Sequence, residues 1–310
     1  VSIYIQIATI EDSGITETVK SALSNADNPD DIYIGIAATV NSEFYRDVIF
    51  PLTEYNGVRA KKFDPIKDRG LGRGRINSRF AYNDEDFVLQ VDAHTNFDSG
   101  WDTKLIFIFK SAISETNNSK TLITGYLGKF MFEDGIPKVT DSYAGYSVWP
   151  NGNVNAKVNL KSVAVTKISD FPEFILEDRV RMFYPSQRVA GNFIFGNREW
   201  AKFHGWSGEE VFWEEEITPA ITLLNDGFSL VFPNIPLPLT HLYREDDLDR
   251  QTMDDMFEDK NDICHLANEH ISRFVHQNKQ ACNKYTDYSG YDIATNTLTY
   301  KVFVPEKYGF

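Results

Sequence analysis

The sequence predicts an α/β protein: a mixed, mostly parallel sheet flanked by helices, followed by a helical and β-structured extension. Three observations predict it. β-rich runs alternate with segments of helical period as far as Leu127. One of the most apolar runs ends on a carboxylate, Asp92, as ligand-facing strands of open parallel sheets do. Beyond Tyr243 the composition turns strongly acidic, which marks roughly 246–310 as an extension packed on a main domain of 1–245.

Ser2 to Ala8 and Ile32 to Ala38 are β-rich, and between them Ile15, Val19, Leu23 and Ala26 recur at helical spacing behind Ser13, a candidate N-cap. That is a βαβ unit. Val58 to Phe63 reads as a third strand, Leu71 to Ala81 as a turn and helix, and Phe87 to Val91 as a buried strand ending at Asp92. Trp101 to Ile113 is a helix and Thr121 to Leu127 a strand. Gly135 to Pro172, rich in Gly, Pro, Asn and Tyr, predicts irregular antiparallel structure, and acceptor specificity is expected there. Val189 to Phe195 is strand-like, Arg198 to Phe203 a short helix, and Glu209 to Leu224 a longer one stopped by Asn225-Asp226-Gly227. Phe228 to Phe232 is a strand. The stretch to Cys282 reads as an amphipathic helix carrying Leu266, Ile271, Phe274 and Val275, and Thr297 to Val304 as a β tail.

With 310 residues, 42% of them hydrophobic, the chain supports a large core. Its 31 Lys and Arg against 45 Asp and Glu, a net charge of −14, argue against a nucleic-acid partner. The acidity is uneven: Arg59 to Arg79 holds eight basic residues against Asp64 and Asp68, whereas 245–259 holds eight acids and one Arg. Two cysteines, Cys264 and Cys282, are too few for a disulfide framework and predict a reducing, cytoplasmic setting with inert thiols. No apolar run reaches eighteen residues, so no membrane span is expected.

Three segments carry chemistry. Asp92-Ala93-His94 at a strand end offers a hard oxygen and an imidazole nitrogen to a divalent ion such as Mn²⁺, or Mg²⁺. The bland alternative is a surface loop. Asp68-Arg69-Gly70-Leu71-Gly72-Arg73-Gly74-Arg75 frees backbone N–H groups beside arginines at a helix start, which suits a diphosphate; otherwise it is a turn with locally paired arginines. The third is Trp206-Ser207-Gly208-Glu209-Glu210, followed by Glu214 to Glu216, read as a solvated face, and by Thr240-His241-Leu242-Tyr243-Arg244. Glu209 and Glu210 also fit plain stabilisers of a helix start. His265, His270 and His276 read as surface or structural residues.

In this order the segments resemble the Gly-Leu-x-Arg-x-Arg, Asp-x-His, Trp-Gly-Gly-Glu and Gly-His-Val-Phe-Arg motifs of the GT-A polypeptide N-acetylgalactosaminyltransferases. They are more similar still to the cytoplasmic hydroxyproline N-acetylglucosaminyltransferases, through Gln6-Ile7-Ala8, Gln90 to His94 with Trp101-Asp102, and Tyr288-Ser289-Gly290-Tyr291-Asp292. The resemblance implies a Rossmann-like GT-A fold and a UDP-sugar donor, with Asp92, His94 and His241 binding Mn²⁺. It also implies that Asp92 and Glu209 meet the donor sugar, that Trp206 walls its site, and that Arg75 or Arg69 lies near the phosphates. Thr9 and Glu11, after the first strand, are the base-side candidates.

The activity implied is transfer of GlcNAc or GalNAc to a hydroxyl on a protein or glycan, with retention of configuration. The donor's own phosphate would take the acceptor proton; for an inverting transfer Glu210 is the first candidate base. Two other classes remain open. A degenerate transferase fold serving as a carbohydrate-binding module, with 15 Tyr and 5 Trp as stacking surfaces, would bind sugar without turnover. A metal-dependent hydrolase built on Asp92, His94 and His241 would need no acceptor but water.

Overall fold

Strands made of Ile, Val, Leu and Phe with few interior charges are suited to burial on both faces, and this chain builds them into one central sheet. The structure, a computed structural model, describes residues 1–141, 146–150, 163–167, 182–203, 205–243 and 260–298. The first half contains β1 (Ile3–Thr9), α1 (Ile15–Ser24), β2 (Ile32–Thr39), α2 (Ser42–Phe44), α3 (Phe50–Leu52), β3 (Val58–Phe63), α4 (Leu71–Asn77), β4 (Phe87–Asp92), β5 (Thr95–Phe97), α5 (Trp101–Thr116) and β6 (Thr121–Thr124). Then come β7 (Gly128–Glu133), β8 (Ile136–Asp141), β9 (Tyr146–Pro150), β10 (Val163–Lys167), β11 (Phe183–Pro185), β12 (Phe193–Asn197), α6 (Arg198–Lys202), α7 (Thr218–Asn225), β13 (Ser229–Pro233) and β14 (Leu239–His241). The last elements are α8 (Lys260–Gln277), α9 (Lys279–Ser289), β15 (Tyr291–Asp292) and β16 (Thr297–Leu298).

The central sheet has the order β11-β13-β6-β12-β4-β1-β2-β3. β1 pairs in parallel with β2 and β4, β2 with β3, and β6 with β13, while β12 runs antiparallel between β4 and β6 and β11 is an antiparallel edge. The predicted α/β class, mixed and mostly parallel, is the observed one. One face packs Ile5, Ile7, Val19, Trp101, Leu105 and Phe109 beneath α1 and α5; the other packs Tyr4, Val88, Trp200, Trp206 and Leu223. A smaller sheet, β5-β14-β7-β8, sits at the carboxyl ends of the parallel strands and pairs His241 with Thr95. That pairing sets the site.

Several boundaries differ from expectation. The helix expected from Glu209 to Leu224 breaks into an irregular loop, a 3₁₀ turn at Trp213–Glu216 and α7. The Glu214 carboxylate accepts from the N–H groups of Val211 and Phe212 and so substitutes for helical carbonyls there. Glu214 and Glu215 are consequently buried, not on a solvated face. The expected single C-terminal helix is two, divided at Asn278. Ser13 does not cap α1; Gly14 occupies that position, with its N–H bonded to Asp12. The expected strand residues 158–162 and 299–304, together with His204, Arg244 and the acidic run to 259, lie outside the described residues. Among the described residues no helix is long and apolar enough to cross a membrane.

Candidate active site

Asp92 closes β4 at the carboxyl edge of the parallel strands, and His94 lies in the tight turn that leads from it into β5. Thr18 of α1 holds this turn, donating to Ala93 O at 2.8 Å and accepting from the Thr95 N–H. β14 lies beside β5, and Leu242 N–H bonds His94 O at 3.0 Å, which brings His241 alongside. One ligand atom from each of Asp92, His94 and His241 lies within 4.8 Å of the others. The His94 and His241 rings stand edge to face at 4.5 Å. One carboxylate oxygen and two imidazoles fit a divalent transition ion such as Mn²⁺.

Each of these groups is oriented by the protein. Asp12 sits 2.7 Å from His94 Nδ1, which leaves Nε2 as the available ligand atom. Arg75, fully buried, donates to Asp92 at 2.8 Å, to Gly191 O at 2.8 Å and to Glu215 at 3.3 Å. Burial alone would raise the Asp92 carboxyl, but the Arg75 charge and the His241 hydrogen bond hold it well below the usual carboxylate range. Burial pushes Glu215 up to about 7, with Arg75 opposing and the Asp92 charge adding to the rise. Burial also raises Glu216, which accepts from Tyr126 Oη at 2.9 Å and Gly191 N–H at 3.4 Å.

Gly191 lies at the centre of this group. A side chain there would meet Glu215 Oε1 at 2.3 Å, so glycine is required for the backbone to approach the carboxylates. Sequence reasoning missed Gly191, Glu215, Glu216 and Asp12. Arg75 and Glu215 are 140 residues apart, and no local pattern ties them.

The other expected residues fall elsewhere. Glu210 is 1% exposed, and its carboxylate accepts from the N–H groups of Ser207 and Gly208 and from the Thr218 hydroxyl. These bonds tie its carboxylate to the loop that carries it. Glu209 faces solvent and pairs with Arg273 of α8 at 2.9 Å. The Arg75, His94 and His241 charges act on Asp92, and Glu215 and Glu216 feel the Asp92 charge in turn. Trp206 is 4% exposed and packs against Trp200. The glycine turn is also committed: Leu71 and Gly72 donate to the carbonyls of Val211 and Glu210, so these N–H groups are not free for a diphosphate. Arg69 is exposed beside it. Thr9 and Glu11 do reach the site edge, one and three residues beyond Ala8, which pairs with Asp92. Cys282 is buried and its thiol is pushed up to about 11, an inert group.

A mixed sheet thus gathers a carboxylate and two imidazoles at its carboxyl edge, where open α/β folds bind their ligands. Among solved structures the chain is similar to GalNAc-T7 crystallised with UDP, GalNAc and Mn²⁺, at 15% identity and a TM-score of 0.59 over 93% of this chain and 50% of that one. It is also similar to residues 1–349 of S. aureus TarS in complex with UDP-GlcNAc, at 12% identity and a TM-score of 0.50 over 94% of this chain and 74% of that one. At these identities the likeness shows the fold, and the chain spans about half the length of GalNAc-T7. No curated protein matches it. The family described as "Glycosyltransferase (GlcNAc)" matches residues 46–289, and the chain belongs to it.

Proposed function

We propose that this chain, with 1–245 as its catalytic unit and 246–310 as a packed extension, transfers an N-acetylhexosamine, GlcNAc or GalNAc, from its UDP donor to a hydroxyl of a protein or glycan. The observation that carries this reading is the convergence of Asp92, His94 and His241 at the carboxyl edge of β4. Support comes from the family and from neighbours whose structures hold UDP, GalNAc and Mn²⁺, or UDP-GlcNAc. Asp92, His94 and His241 would hold the divalent cation, Mn²⁺ or Mg²⁺. Bound there, the cation supplies Lewis-acid stabilisation of the departing diphosphate.

The chain's own groups do the rest. Arg75 keeps Asp92 ionised and aimed, and its charge lies where negative charge grows on the leaving group. Glu215, Glu216 and the Gly191 backbone present acceptors and close approach to the hydroxyls of a sugar, the role first expected of Glu209. Thr9 and Glu11 lie on the base side. With Glu210 enclosed, the reading favours retention, in which the donor's own phosphate takes the acceptor proton and no protein base is needed.

The test is a panel of UDP- and GDP-sugars with Mn²⁺ or EDTA, scored for nucleotide release with and without hydroxyl acceptors. Turnover of a UDP-N-acetylhexosamine that EDTA and His241→Ala both abolish is expected. Binding of a donor without turnover under any condition would favour the carbohydrate-binding alternative.

A further inference from the structure

Asn192 has an unmet need at the centre of the site. Residues 190–193 form a tight turn closed by Phe193 N–H to Ala190 O at 3.2 Å. Phe193 pairs with Val91 across the β12/β4 ladder, so one step further along Asn192 stands opposite Asp92. The residue is 6% exposed. Its Nδ2 donates to Tyr243 Oη at 3.4 Å, and Tyr243 spends its own proton on Leu127 O at 2.7 Å. Tyr243 Oη therefore acts as an acceptor, which fixes which end of the amide is nitrogen. The other end, Oδ1, is buried with no hydrogen-bond donor among the described residues.

A buried carbonyl without a donor is costly unless something completes it. Its neighbours are poorly placed to do so. Gly191 N–H is directed to Glu216, and Asp92 is an ionised acceptor. The Tyr243 ring lies tilted against His241 at 4.5 Å, so the partner of the Asn192 amide also touches a cation-ligand candidate.

We propose that Asn192 is a specificity-determining residue of the donor site, whose Oδ1 accepts a hydrogen bond from a hydroxyl of the transferred sugar. This rests on the donor reading above. A hydroxyl is both donor and acceptor, so the same ring can give one proton to Asn192 and others to Glu215 or Glu216. A sugar lacking that hydroxyl leaves the amide carbonyl unpaired in the closed complex, and the site discriminates by that penalty.

The test is a coupling cycle on the intact chain. Asn192→Ala and the similarly sized Asn192→Leu are compared with wild type on the UDP-N-acetylhexosamine that the wild type turns over and on its 3-, 4- and 6-deoxy forms. Mn²⁺ affinity is measured in parallel. Wild type should lose about 5- to 30-fold in kcat/KM on one deoxy donor, the size of one hydrogen bond. Both variants should lose a similar factor on the parent sugar and be indifferent to that same deletion. Independent, multiplying losses on every deoxy donor would overturn the assignment, as would a loss that follows weakened Mn²⁺ binding. Wild type inert toward every UDP-sugar overturns the donor reading and this one with it; turnover without coupling overturns this one alone.

Discussion

Asp12 lies 2.7 Å from His94 Nδ1, across 82 residues of chain, and so leaves Nε2 as the ring nitrogen open to another partner. Gly14, whose N–H is held by the other oxygen of the same carboxylate, leaves room for the imidazole: a side chain there would come within 3.2 Å of His94 Cβ. Outer partners of this kind tune affinity. Asp12→Ala should weaken Mn²⁺ binding about 10- to 100-fold, measured by titration calorimetry, while His94→Ala should weaken it more. Equal Mn²⁺ affinity in Asp12→Ala and wild type would place the cation elsewhere.

Glu215 makes the metal-free protein pH-sensitive. Its carboxyl rises from an ordinary 4.5 to about 7 in the fold. A raised carboxyl leaves stability intact below the unfolded value, and that contribution is lost as pH climbs through the folded one. The loss falls between about 4.5 and 7 and is on the order of 3 kcal/mol for this nearly buried group. Glu215→Gln keeps an acceptor for Arg75 but cannot ionise. Urea unfolding in EDTA should show a flatter decline for the variant over that window. Parallel profiles for variant and wild type would mean that Glu215 ionises normally.

What was legible in the sequence follows the range of each interaction. Asp92 and His94 are two residues apart at a strand end, so their shared direction follows from local geometry. His241 was legible only through the order of motifs, because the β5/β14 pairing that delivers it is long-range. Glu209, Glu210 and Glu215 are placed differently from the expected helix for a physical reason. Glu209 and Glu210 follow a glycine turn where a helix was expected, yet that helix does not start there. Side chains of Glu210 and Glu214 satisfy the loop N–H groups and turn the chain so that Glu215 meets Arg75. Acids competing for nearby backbone are invisible to a periodicity count.

The two glutamates can be separated by experiment. Glu210→Gln should lower stability by about 1–3 kcal/mol, since one of its amide ends faces an N–H it cannot accept from. Once folded, the variant should retain metal-dependent turnover within a few-fold. Glu215→Ala, by contrast, removes a group beside Gly191 and frees Arg75, and kcat/KM should fall by two orders of magnitude or more. Turnover that survives Glu215→Ala and disappears in Glu210→Gln would restore the assignment first made from sequence.

Arg188 presents the reverse problem to Asn192, a buried cation with few hydrogen bonds. It is 1% exposed, and apart from the Tyr285 hydroxyl its guanidinium is poor in hydrogen-bond partners among the described residues. The guanidinium lies over the Tyr291 ring at 5.9 Å, and its charge lowers the otherwise raised Glu216. Tyr285 of α9 bonds the preceding residue, at Gln187 O, at 2.8 Å. Burying a charge with so few compensating bonds costs the fold more than apolar packing of the same volume does. Arg188→Met should therefore keep or raise the melting temperature, whereas Arg188→Ala should lower it by leaving a cavity. If the charge is retained because it supports Glu216, the Met variant should be stable yet bind the UDP-sugar more weakly, a rise in KM with little change in kcat. A Met variant that melts well below wild type would show that Arg188 contributes net stability.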